Sequence, residues 1–160
     1  MQKLHPFLWF NDNAEEAAHF YQSVFPGTTV GRVVRYPQEM PGVGGKVLTI
    51  EFSLLGQTFV ALNGGPKFQF NESVSFVVNC SNQAEVDYYW VRLSEGGETS
   101  RCGWLKDRFG LSWQVVPTRL VELLAHPDDE VSGKAFQALM QMDKIDLAVI
   151  EKAAEQGVDA

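Results

Sequence analysis

Basic residues and cysteines are scarce in this chain of 160 residues, and each shortage excludes a class of function. The 13 lysines and arginines are outnumbered by 20 aspartates and glutamates, which gives a formal net charge of −7 at neutral pH. Because binding to nucleic acids or anionic membranes depends on clustered positive charge, neither is expected as a partner. Two cysteines, Cys80 and Cys102, are too few for a disulfide framework, so free thiols and a cytoplasmic location are expected.

Long hydrophobic runs are also missing. No stretch approaches the roughly 20 apolar residues of a membrane-spanning helix, and His5 and Pro6 interrupt the apolar segment near the N-terminus. Hydrophobic side chains nevertheless make up 45% of the chain, enough for a buried core at this length. The sequence therefore predicts a globular chain that needs neither disulfide nor metal for its stability.

Hydrophobic periodicity predicts the same order of elements twice. The first half is predicted to contain a strand, a helix and three strands, at 5–10, 14–24, 28–36, 47–54 and 58–63. The second half is predicted to contain a strand, a helix and two strands, at 73–79, 82–94, 99–106 and 111–116. Asn13 and Glu16 form the predicted capping box of the first helix, and Asn82 and Glu85 that of the second.

The repeated order indicates an internal duplication. At an offset of 69 residues, Asn13 aligns with Asn82 and Glu16 with Glu85, and the apolar positions of the two helices also coincide. We therefore expect paired modules over about 1–66 and 67–117. Helical periodicity over 118–160 predicts an extension that packs on the core or on a second subunit.

Alternating polar and apolar side chains give several predicted strands one polar face. Such a face can be open to solvent, as is common for antiparallel sheets, or it can line a ligand cleft. Aromatic side chains beside polar ones favour the cleft. The residues predicted to line it are His5, Trp9, Glu51, Asn63, Ser73, Ser75, Trp104 and Gln114.

Four segments carry a resemblance to a known family: HPFLWFNDNAEEAAHFYQSVFPG, FVALNGGP, FNESVSFVV and CGWLKDRFGLSWQVVP. In this order they resemble the PhnB-like branch of the vicinal oxygen chelate superfamily, often labelled demethylubiquinone methyltransferase-like. The superfamily includes glyoxalase I, bleomycin-resistance proteins and extradiol dioxygenases. The resemblance implies an α+β fold of tandem βαβββ modules, whose curled mixed sheets form a cleft, in a homodimer.

The resemblance also implies a divalent metal held by the first and last strands of each module. The corresponding positions fall on His5, Ser73 and Gln114, with the fourth near Leu62 or Asn63. Of these, only His5 is a good metal ligand, and the amide oxygen of Gln114 is a weak one. In an enzyme of this type the metal would polarise a substrate oxygen, and Glu51 is the candidate catalytic base.

Two other functional classes compete with a metal-assisted enzyme. One is a metal-free protein that binds or sequesters a small molecule, of the bleomycin-resistance type, and the other is a fold retained for assembly. A methyltransferase or nucleotide site is not predicted, because the glycine-rich loop at 42–45 precedes a strand, whereas such sites need a glycine-rich loop before a helix.

Overall fold

Residues 2–158 are described in a computed structural model. The elements are β1 (Phe7–Phe10), α1 (Ala14–Val24), β2 (Thr29–Arg35), β3 (Val47–Leu54), β4 (Gln57–Asn63), β5 (Ser75–Cys80), α2 (Gln83–Ser94), β6 (Glu98–Thr99), β7 (Trp104–Lys106), β8 (Ser112–Pro117), α3 (Thr118–Leu124), α4 (Asp129–Leu139) and α5 (Leu147–Val158). They fall into two units that divide between Phe70 and Asn71. None of the helices in this range is long and apolar enough to cross a bilayer.

The first unit contains a four-stranded sheet in the order β1-β4-β3-β2. Strands β1 and β4 run parallel, and the other neighbours are antiparallel. Helix α1 buries Tyr21 and Val24 against this sheet, and the Tyr21 ring stacks on Phe52 with centroids 5.8 Å apart. Burial of such aromatic and aliphatic side chains supplies most of the stability of this packing.

The start of α1 differs from its predicted capping box. The Asn13 side chain makes no capping hydrogen bond, so the Asn13–Glu16 prediction is wrong in this respect. The backbone amide of Ala14, at the first position of the helix, instead donates to Oδ1 of Asn63, at the end of β4. A residue from a distant strand therefore satisfies one of the helix's unpaired amides.

The second unit repeats the arrangement with the strand order β5-β8-β7-β6. Helix α2 buries Val86 and Leu93, and here the predicted cap is confirmed, because Asn82 Oδ1 accepts from the Glu85 amide at 3.0 Å. The Glu85 carboxylate in turn accepts from the Ser81 amide at 2.8 Å. Two mixed sheets, each with a helix on one face, confirm the predicted α+β class and its tandem modules.

The strand predicted over 99–106 is interrupted. Cys102 and Gly103 have positive φ angles of 61° and 84°, which break the strand into β6 and β7. Their backbone amides leave the sheet and donate to the carbonyl oxygens of Met142 and Asp143, at 2.9 and 2.7 Å. The interruption therefore depends on a hydrogen-bond partner about 40 residues away in the helical extension, between α4 and α5.

The helical extension packs on the second unit. Its buried side chains, from Leu120 of α3 to Ala154 of α5, form one cluster with Val116 of β8. Ile145, between α4 and α5, is fully buried in this cluster, and Gln83 of α2 donates to its carbonyl oxygen at 2.9 Å. These contacts occur within the chain itself, which is one of the two packing modes left open by the sequence.

Candidate functional site

The second sheet has a polar face on the side opposite α2. Strand register aligns four side chains in one row across the sheet: Glu98, Lys106, Ser112 and Ser75. Trp104 and Gln114 are also cross-strand partners and lie in the next row of the same face. Three predicted site residues, Ser75, Trp104 and Gln114, are thus brought together on this face, as side-chain alternation requires.

A cavity of about 590 Å³ lies over the edge of this face that is formed by β6 and β7. We call it the second-unit cavity, and its walls include Glu72, Glu98, Trp104, Lys106, Ser112 and Met140. Its volume falls in the range typical of small-molecule sites. Met140 follows α4, so the helical extension contributes one wall.

One ion pair inside this cavity joins Lys106 Nζ to the carboxylate of Glu72. Glu72 lies in the segment that precedes β5, and its side chain is 58% exposed. The hydrogen bond with Lys106 lowers the pKa of the Glu72 carboxyl, and the same hydrogen bond raises the pKa of the Lys106 ammonium. Both groups are therefore charged at neutral pH.

Ser112 provides an unsatisfied polar group at the same place. The residue is only 1% exposed, and its hydroxyl has no hydrogen-bond partner within residues 2–158. A buried hydroxyl without a partner costs free energy, so such groups in native proteins usually have a reason. Ser112 lines the second-unit cavity, and because less than 1 Å² of its hydroxyl oxygen is accessible, a ligand reaches it only after a neighbouring side chain moves.

Gln114 and Ser73, two predicted site residues of the second unit, make local hydrogen bonds. The Gln114 amide Nε2 donates to Ser75 Oγ at 3.0 Å, which fixes both side chains on the polar face. Ser73 is exposed, and its hydroxyl donates to Oδ1 of Asn71 at 2.6 Å in the segment before β5. Ser73 thus lies outside the sheet, next to Glu72.

The first sheet has a comparable face that carries Trp9 and Glu51. Cross-strand register aligns Glu51 with Val60 and Phe7, and Trp9 with Leu62 in the adjacent row. The Trp9 indole donates to the Gly65 carbonyl at 2.9 Å, and the Phe68 ring meets it edge-on at 4.9 Å. The Glu51 side chain is half-buried and lies beside Gly31 of β2.

Asn63 faces the other way, toward α1. Besides accepting from Ala14, its amide donates to Glu15 Oε1 at 2.6 Å and to the Val47 carbonyl at 3.0 Å. It borders another cavity of the first unit, of about 510 Å³, together with Tyr36. The amide of Asn63 is therefore occupied by structural hydrogen bonds, and it is not on the face that holds Trp9 and Glu51.

The residues at the implied metal positions do not fit a tightly held divalent cation. His5 precedes β1, is half-buried, and has Nδ1 3.1 Å from the Pro6 carbonyl oxygen. The remaining positions offer a hydroxyl and amides, which are weak ligands compared with carboxylates. Within residues 2–158, no three His, Cys, Asp or Glu side chains are grouped so that they could hold a metal ion.

Of the residues that line the second-unit cavity, Trp104 was predicted as a site residue, whereas Glu72, Lys106 and Ser112 are among those that were not. Ser112 could have been found, because it alternates with Gln114 in the polar series of β8. The pairing of Glu72 with Lys106 had no sequence signal, since it joins two residues 34 positions apart through the fold.

The two sheets, each with a helix on one face and polar side chains on the other, define a protein of the glyoxalase-like, vicinal oxygen chelate class. Residues 2–116 match the model of the family described as 3-demethylubiquinone-9 3-methyltransferase. The chain belongs to this PhnB-like family. Among curated proteins, none matches the chain.

One solved structure shows the same relationship, and two others show the same fold. A PhnB protein from Bacillus cereus is 32% identical, with a TM-score of 0.66 over 72% of this chain and 99% of that one. A Pseudomonas aeruginosa protein is 22% identical, with a TM-score of 0.62 over 73% and 98% of the two chains. The fosfomycin resistance protein FosX from Listeria monocytogenes, in complex with Mn(II), is 15% identical, with a TM-score of 0.51 over 73% and 91%. The last two likenesses concern the fold alone, and Mn(II) is bound in that FosX structure.

Proposed function

We propose that this PhnB-like protein binds a small organic molecule in its second-unit cavity without the help of a resident metal. The buried Ser112 hydroxyl carries the proposal, because it has no partner among residues 2–158 and lines a cavity of about 590 Å³. The half-buried Trp104 ring supplies an apolar surface beside it. An aromatic wall with a few polar groups is the usual composition of a ligand site.

The test uses indole, a neutral aromatic probe, in isothermal titration calorimetry. We expect measurable binding to the wild type and a loss of about tenfold or more in Trp104→Ala, since removing a stacked aromatic wall costs on the order of 1–3 kcal/mol. Trp9→Ala is the matched control, because Trp9 is also half-buried on a polar sheet face but belongs to the first unit. A loss in Trp9→Ala with none in Trp104→Ala would move the site to the first unit, and no binding to the wild type would end the proposal.

The metal-assisted alternative has its own test. With His5 as the sole imidazole at the implied positions, we expect protein purified without chelator to contain far less than one equivalent of any divalent metal. Elemental analysis of the wild type and of His5→Ala checks this. One equivalent of metal that disappears in His5→Ala would favour the enzyme, with Glu51 as the candidate base, over the metal-free binding protein.

Methyl transfer is not part of the proposal. The glycine-rich loop at 42–45 is followed, after Lys46, by strand β3, so this loop lacks the helix start that commonly binds a phosphate or nucleotide. The family match therefore identifies the relatives of the chain, and our proposal of ligand binding rests on the residues that line the cavity.

A homodimer also belongs to the proposal. It follows from the family resemblance, and the exposed apolar residues Val30, Val33 and Val34 on edge strand β2 are consistent with a covered surface. Light scattering at micromolar concentration should return twice the mass of the 17.9 kDa chain, and the mass of one chain would contradict it. The cytoplasmic location stays a prediction from the cysteine content.

A further inference from the structure

We infer that Glu72 occupies the place of a ligand carboxylate on Lys106, and that the second-unit cavity selects an aromatic monoanion that displaces Glu72. This inference rests on the proposed function, because it names the ligand class of the same cavity. It assigns Glu72 the role of an internal, exchangeable counterion. It assigns Lys106 and Ser112 the role of a binding pair for the incoming anion.

The position of Glu72 makes such an exchange feasible. The Glu72 carboxylate forms an ion pair with Lys106, and Glu72 lies in a turn before β5. The side chains of Glu72 and Lys106 are 58% and 38% exposed, and ion pairs with this exposure stabilise a protein little. A ligand carboxylate can therefore replace Glu72 at small cost to the fold.

The charges of the cavity favour an anion once Glu72 has moved. Four charged side chains line the cavity, the carboxylates of Glu72 and Glu98 and the cations of Arg101 and Lys106. The Arg101 guanidinium is paired with Asp143, 3.8 Å away, so its charge is already compensated. Departure of Glu72 raises the net charge of the lining by one, and a monoanion restores it. A cationic ligand would instead need to compete with Lys106 for the carboxylates.

The arrangement of Lys106 and Ser112 suits one carboxylate. They are directly paired residues on adjacent antiparallel strands, β7 and β8, so their Cβ atoms lie about 5 Å apart on one face. One carboxylate oxygen can accept from the ammonium, and the other from the Ser112 hydroxyl. The Ser112 hydroxyl would then gain the partner that it lacks among residues 2–158.

The rest of the wall suits an aromatic body attached to that carboxylate. Trp104 is two residues before Lys106 on β7 and lies on the same face, while Met140 enters from the helical extension. A flat ring placed between an indole and a thioether gains both apolar burial and favourable ring and sulfur contacts. Benzoate is the simplest molecule with both parts.

The experiment compares benzoate with benzamide, its neutral analogue, by calorimetry at low ionic strength. Glu72→Gln removes the internal counterion and keeps the side-chain shape, so benzoate should bind about three-fold tighter than to the wild type, in line with the small worth of an exposed ion pair. Benzamide affinity should change less than two-fold. The matched control is Glu122→Gln, which removes a carboxylate from another exposed ion pair, with Arg119, outside this cavity.

A second variant tests the role of Lys106. Lys106→Gln should weaken benzoate binding at least five-fold, and adding Glu72→Gln to it should bring no further gain, because the two residues act on the same charge. Benzoate affinity that stays unchanged in Glu72→Gln, or rises equally in Glu122→Gln, would overturn the inference. If indole or benzamide binds while these benzoate effects are missing, the proposed function stands and only the inference fails. Binding of none of the three probes would remove both.

Discussion

The Asn63 side-chain oxygen lies 2.9 Å from the backbone nitrogen of Ala14, 49 residues earlier in the chain. This hydrogen bond ties the end of β4 to the first turn of α1. The same amide group also holds Glu15 and the Val47 carbonyl, so one side chain connects three segments of the first unit. Its geometry is that of a structural residue.

Replacing Asn63 should therefore lower stability and leave binding intact. Asn63→Ala removes three hydrogen bonds and leaves part-buried groups unpaired, so the free energy of unfolding should fall by about 1–3 kcal/mol. Urea unfolding measures this loss, and indole affinity should remain within two-fold of the wild type. Asn79→Ala, at an exposed position of β5, is the control and should change stability by less than about 0.5 kcal/mol. Lost binding with unchanged stability would restore Asn63 as a ligand residue.

Ser112→Ala should have the opposite effect to Asn63→Ala, because it should weaken binding and leave stability intact. Removing a buried hydroxyl that lacks a partner among residues 2–158 should leave the free energy of unfolding unchanged or raise it by about 1 kcal/mol. Benzoate affinity should fall about five-fold, because one of its two hydrogen-bond donors is gone. Chemical unfolding and calorimetry on the same preparation give both values. A clear loss of stability would mean that the hydroxyl has a structural partner.

Gly103 and Gly110 form a matched pair for testing how the helical extension is attached. Both have φ near +85°, so alanine at either position is strained by about 1 kcal/mol. A Cβ on Gly103 would also lie 2.8 Å from Ile145 Cδ1 and 2.9 Å from the Val115 carbonyl oxygen, whereas one on Gly110 meets open space. Gly103→Ala should therefore cost about 2–4 kcal/mol and Gly110→Ala about 1 kcal/mol in thermal or urea unfolding. Equal losses would show that the contact with Ile145 is unimportant.

The pH dependence of stability should show the effect of burial on the ionisation of the Cys80 thiol. Burial, with a smaller contribution from the charge of Glu85, raises the pKa of this thiol to about 11. In the unfolded chain the thiol ionises near its ordinary pKa of about 8.5–9, so between pH 9 and 11 the unfolded state loses its proton first and stability falls as pH rises.

The measurement compares the wild type with Cys80→Ala by urea unfolding at pH 8 and pH 10. The wild type should lose about 1 kcal/mol more than the variant over this interval. Parallel pH profiles for the two proteins would contradict the assignment. As an independent check, a thiol reagent at pH 8 should modify the half-buried Cys102 in the native protein and leave the buried Cys80 unmodified.

Most elements could be predicted from the sequence because their causes are local. Helix α1 has the predicted bounds of Ala14–Val24, since its apolar spacing and the following Pro26-Gly27 depend on neighbouring residues alone. The Asn82 cap of α2 is equally local and was predicted correctly. Side-chain alternation also put Ser75 and Gln114 in the polar series of their strands, and the register of β5 with β8 places them on one face.

The differences come from contacts between distant parts of the chain. Asn63 replaces Asn13 as the cap of α1 because the fold brings the end of β4 to that helix, which no local pattern reveals. The break between β6 and β7 depends on carbonyl groups of the helical extension. The pairing of Glu72 with Lys106 is of the same kind, and our proposal centres on the cavity that holds this ion pair.

The position of Met140 limits which functional assignments can be transferred from one family member to another. The region shared with the family model ends at residue 116, yet the second-unit cavity takes one wall from Met140, beyond that region. A homologue that agrees with this chain at every aligned position can still have a differently shaped cavity, if its own sequence continues differently after the shared region. Substrate assignments made by alignment within this family should therefore be re-examined wherever the trailing helices differ.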